Sequence, residues 1–73
     1  MTLRDAIDEA IAMGYEGAEE ITLSSGETVY LLMAGDGAII GLPTYIHEVD
    51  GIVVASTYEE SMALFDEPNY LKE

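Results

Sequence analysis

The order of signals along this 73-residue chain predicts a single α+β domain covering residues 1–73. It has an N-terminal helix, an antiparallel sheet of three to four strands and a short C-terminal helix. Three observations carry that prediction. A capped amphipathic segment opens the chain, Asp50-Gly51 joins two β-rich runs, and a second capping pattern, Thr57 with Glu60, follows the last run.

Leu3, Ile7, Ala10, Ile11 and Gly14 recur at helical spacing with Ala6 beside them, while Asp5, Asp8 and Glu9 fall opposite. Thr2 followed three residues later by Asp5 is a helix start, and Gly14 a helix stop, so the helix is expected over Leu3–Met13. Tyr15–Glu20 reads as a polar connection. Ile21–Ser24 and Glu27–Ala34 read as strands around a Ser25-Gly26 turn, the second apolar on both faces. Gly35-Asp36-Gly37 is expected to turn, and Ala38-Ile39-Ile40 to form a short run that Pro43 keeps out of a central strand. Tyr45–Val49 and Ile52–Ala55 flank the Asp50-Gly51 hairpin signal. The last helix is expected over Tyr58–Phe65, with Tyr58, Met62 and Phe65 turned to the core and Pro68 ending it.

A chain of this size buries roughly 60% of the surface its unfolded form exposes. With no cysteine it has no disulfide to reinforce it and no thiolate chemistry. Its 49% hydrophobic content is too high for a disordered acidic tail. The start, Met-Thr-Leu-Arg-Asp, lacks the pattern of a secretory signal, and no apolar run is long enough for a membrane helix; a cytoplasmic location is expected.

Charge is the most unusual property. Fifteen Asp and Glu face only Arg4 and Lys72, a formal −13. Seven acids lie in residues 1–27 and five in 57–73, so two acidic ends flank an apolar middle. Such a field opposes direct contact with nucleic acid, anionic membrane or phosphorylated substrates and favours a basic partner. Solvated helix faces ordinarily mix signs, and the near-absence of Lys and Arg is what points beyond solubility. Salt adaptation is an alternative source of acidity, opposed by the wealth of Ile, Leu, Met and Tyr.

Nothing in the chain forms a catalytic signature, and the expectation is a non-enzymatic protein. Gly35–Gly41 superficially matches a nucleotide-binding glycine loop, but Pro43 cuts the helix such a loop requires, and Asp36 opposes phosphate. His47, the only histidine, has no cysteine or nucleophile elbow to serve and reads as a sheet-face or interface residue. The acids lack the alternate spacing of a calcium loop, so no metal and no cofactor is expected. If both helices covered one sheet face, the other would be exposed and apolar. A homodimer through Tyr30, Leu32, Tyr45 and His47 that buries it is expected, with one helix on each face and a monomer as the alternative.

In size, acidity, lack of cysteine and lack of catalytic residues, the chain resembles small phage-encoded anti-defence proteins, including anti-CRISPR and anti-restriction DNA mimics. The residues that carry the resemblance are Asp5, Asp8, Glu9, Glu16, Glu19, Glu20, Glu59, Glu60, Asp66 and Glu67. It covers the whole chain in composition and rests on no motif. It implies a stoichiometric inhibitor that presents these acids to a basic nucleic-acid-binding protein, a CRISPR effector or a restriction enzyme. An antitoxin or immunity-type partner of a basic toxin or nuclease is the alternative.

Overall fold

The computed structural model describes residues 1–33, 43–68 and 70. The expected Gly35-Asp36-Gly37 turn, the run Ala38–Ile40, and Lys72 lie outside them. The elements are α1 (Leu3–Ala12), β1 (Gly17–Thr22), β2 (Thr28–Met33), β3 (Tyr45–Val49), β4 (Ile52–Ala55), α2 (Tyr58–Ala63) and a 3₁₀ turn, Leu64–Asp66. The strands form an antiparallel meander in chain order, with β1 and β4 at its edges. This is the α+β architecture that the sequence predicts.

Local chemistry accounts for the boundaries. Thr2 Oγ1 accepts the Asp5 amide and Asp5 returns the bond to the Thr2 amide, closing a capping box on α1. At the other end Gly14 adopts φ +98, which lets its amide reach Ile11 and the Tyr15 amide reach Ala10. That paired pattern absorbs carbonyls the helix end would leave open. The β3–β4 turn has positive φ at both Asp50 (+53) and Gly51 (+81), the left-handed pair whose twist matches the flanking strands. Thr57 and Glu60 repeat the capping box at α2.

The two helical elements divide between the two faces of the sheet. On one face Ala6 and Ala10 of α1 pack on Tyr30, Leu32 and Ile46. Alanines there let the helix approach large sheet side chains closely. On the other face Leu64 packs among Ile21, Val29 and Tyr45. The register explains the partition: Tyr30 lies opposite Ile46 and Leu31 opposite Tyr45, so even-numbered β2 residues face α1 and odd-numbered ones face Leu64.

Four expectations need correction. The first strand is Gly17–Thr22 rather than Ile21–Ser24, and residues read as a polar connection are paired along all of β2. An edge strand needs only a backbone ladder on one side, so Glu19 and Glu20 fit there with their carboxylates in water. The phase of the C-terminal helix also differs. Tyr58 is 70% exposed, Met62 and Phe65 are exposed as well, and Ser61 and Leu64 turn inward instead. The phase is already set within α2: Ser61 turns inward to the Ser56 hydroxyl at 2.8 Å, Leu64 follows three residues later on the same side, and Tyr58, Met62 and Phe65 are left on the outer one. In α1, Leu3 and Ile11 are exposed where they were expected in the buried stripe.

The proposed dimer face is the fourth correction. Tyr30, Leu32, Tyr45 and His47 are all buried within one chain, and the register sends the first two to one sheet face and the last two to the other. They do not form a common surface. The alternative, one helical element on each face, is the arrangement observed.

Candidate acidic interface

The candidate site is a surface of carboxylates, and its geometry follows from which acids already have structural roles. Asp5 and Glu60 close the two capping boxes. Glu67 clamps the β1–β2 loop, accepting the Ser24 amide at 2.7 Å through Oε1 and the Ser24 hydroxyl at 3.2 Å through Oε2. Asp8 lies 3.8 Å from Arg4 Nε, one turn earlier on the same helix. Those four of the ten candidate acids are engaged within the fold.

The carboxylates of Glu9, Glu16, Glu19, Glu20, Glu59 and Asp66 are exposed and make no hydrogen bond or ion pair among the described residues. Glu9 lies on α1 and Glu16 just before β1, where its amide bonds to the Met33 carbonyl at 2.9 Å. Glu19 and Glu20 lie on β1 opposite Leu31 and Tyr30, so they project from opposite faces of the same edge. Glu59 starts α2 and Asp66 ends the 3₁₀ turn. Helix α1 packs chiefly on β1 from one side, and Leu64 meets Ile21 of β1 from the other. The elements that bear Glu9, Glu19, Glu20 and Asp66 therefore lie at or beside the β1 edge, with Glu16 next to its start, whereas Glu59 lies on α2, directly after β4.

Acids outside that set divide the same way. Glu48 accepts the Met1 ammonium at 2.7 Å, and Glu27 Oε2 lies 2.6 Å from Nδ1 of the buried His47. His47 also stands edge-on to Tyr45, with ring centroids 5.3 Å apart. It is thus a partnered sheet-face residue. Asp50, passed over in a reading centred on helix faces, is exposed in the β3–β4 turn. Burial, and after it the carboxylates of Glu60, Glu27 and Glu67, raise the Tyr45 pKa above the ordinary tyrosine range.

Among the described residues, a recess of about 90 Å³ opens between Leu23, Tyr45, Glu60, Ala63, Leu64 and Glu67. Among the described residues no group of three His, Asp or Glu is arranged to hold a metal ion, and no helix is long and apolar enough to cross a membrane. Comparison with protein-family models, curated proteins and solved structures finds no match to this chain.

Proposed function

We propose that this chain is a non-enzymatic inhibitor that occupies the nucleic-acid-binding surface of a basic protein, its carboxylates taking the place of backbone phosphates. One observation carries the reading: Glu9, Glu16, Glu19, Glu20, Glu59 and Asp66 are exposed and their carboxylates unneutralised among the described residues, all but Glu59 on or beside elements that adjoin the β1 edge. Maintaining such a charge opposes compactness through self-repulsion, and a cationic partner would relieve it. Arginine and lysine side chains that ordinarily hold phosphates would pair with these carboxylates, and association would be steered over a Debye length of about 8 Å at physiological salt. Within this class, the resemblance in composition favours a phage-encoded inhibitor that blocks target DNA from a CRISPR effector, acting in the host cytoplasm.

Immobilised protein exposed to a bacterial lysate should retain a nucleic-acid-binding protein at low salt and release it at high salt. Added duplex DNA should compete for the captured protein. Capture of a protein with no nucleic-acid affinity, or capture that duplex does not disturb, would refute the reading.

A further inference from the structure

The recess beside Leu64 combines hydrocarbon walls with three oxygen acceptors. Leu23, Ala63 and Leu64 form the walls, and Tyr45, Glu60 and Glu67 complete the lining. Tyr45 is only 4% exposed, yet its hydroxyl makes no hydrogen bond among the described residues. No side-chain oxygen sealed from solvent lacks a partner there, so this hydroxyl reaches solvent, and the recess is the opening that Tyr45 lines. Burial first, and then the charges of Glu60, Glu27 and Glu67, hold its proton in place. Glu27 is engaged by His47, which leaves Glu60 and Glu67 as the anions of the recess.

Both carboxylates are half-buried and partly engaged. Glu67 accepts from Ser24 through both oxygens, and Glu60 accepts the Thr57 amide at 2.8 Å through Oε1. Each keeps further lone pairs. Neither presents two free oxygens side by side, which is what the planar fork of an arginine pairs with. A lysine ammonium has three separate donors on a flexible stem, and the recess supplies three separate acceptors. Its volume of about 90 Å³, that of about three liquid waters, suits the tip of a side chain.

We propose that this recess is a socket for one lysine side chain of the basic partner. The ammonium donates to Tyr45, Glu60 and Glu67, and the methylenes lie on Leu23, Ala63 and Leu64. Charge complementarity selects this occupant: an anion is opposed by the field of the whole chain, and a neutral apolar group would leave the Tyr45 hydroxyl unbonded. The inference takes its partner from the inhibitor reading and adds a discrete anchor to it.

The test is an NMR titration of the isotope-labelled protein with Nα-acetyl-lysine N-methylamide, at an ionic strength fixed with NaCl. Saturating shifts should be confined to residues around the recess, with a millimolar dissociation constant. The arginine and norleucine analogues should bind about fivefold more weakly or worse. Tyr45→Phe removes a hydroxyl that no bond in the fold uses, and Glu60→Gln keeps the capping box. Each should weaken binding of the lysine analogue about fivefold, with far-UV circular dichroism unchanged. Shifts that never saturate or that spread over all the acids, an arginine analogue that binds as well, or variants that bind unchanged would each overturn the socket. No partner is present in this titration, so its result is separate from the lysate capture that decides the inhibitor reading.

Discussion

Replacing Leu64 by alanine tests the packing that holds the C-terminal element to the sheet. Leu64 is 1% exposed and contacts Ile21, Val29 and Tyr45, so truncation removes a fully buried side chain and leaves a cavity between two elements. Leu→Ala changes at such sites cost about 2–5 kcal/mol. A 73-residue domain has a total stability of about 4–11 kcal/mol at the usual 0.05–0.15 per residue, so this one change removes a large share of it. Phe65 is a larger side chain but is 45% exposed. Its truncation forfeits part of a transfer free energy and encloses no cavity, a loss of about 1 kcal/mol. Urea unfolding followed by far-UV circular dichroism separates the two cases. With m near 1 kcal/mol per molar, Leu64→Ala should lower the midpoint by about 2 M or more, and Phe65→Ala by about 1 M. If Phe65→Ala costs as much as Leu64→Ala, the helix has the phase expected from its sequence and the packing described here is wrong.

Other expectations follow from the same contacts. Glu67→Ala frees the Ser24 amide and should cost about 1–3 kcal/mol, whereas Glu19→Gln with Glu20→Gln should leave the unfolding midpoint unchanged or raised, because it removes repulsion and no bond. An equal loss in both would show that the β1 acids are structural. Glu27→Ala should destabilise more than Glu27→Gln, since only the former leaves His47 Nδ1 with no acceptor; thermal melts of the pair decide it. The raised Tyr45 pKa has a defined sign. The native state holds that proton more tightly than the unfolded chain, so this stability is complete below about pH 10 and is lost as pH climbs through the native pKa. Tyr45→Phe should flatten the alkaline fall in urea midpoint, and a fall identical to that of the unmodified chain would contradict it.

The fold was most legible where backbone chemistry is local. Both capping boxes, the Gly14 stop and the Asp50-Gly51 turn are short-range devices, and their residues alone determine them. β1 was hidden because an edge strand tolerates carboxylates that disguise it as a loop, and its pairing with β2 is a tertiary fact. The inward turn of Leu64 was hidden because Tyr58, Met62 and Phe65 match the helical period with more apolar surface, whereas the inward side is marked only by Ser61, held to Ser56, and Leu64. The acids were visible as a composition. Asp5 and Glu60 could be placed in caps from the sequence; what it lacks is the division between acids engaged over long range, such as Glu67, and those left free. That division depends on contacts such as Glu67 with Ser24, 43 residues apart.

The decisive measurement is the affinity for the captured basic partner between about 50 mM and about 500 mM NaCl, for the unmodified chain and for a variant with Glu9, Glu16, Glu19 and Glu20 changed to glutamine. If these carboxylates stand in for phosphates, log affinity falls steeply with log salt, and the variant binds more weakly with a shallower slope. Affinity that ignores salt, or a slope that survives loss of the four charges, would contradict phosphate mimicry by this surface.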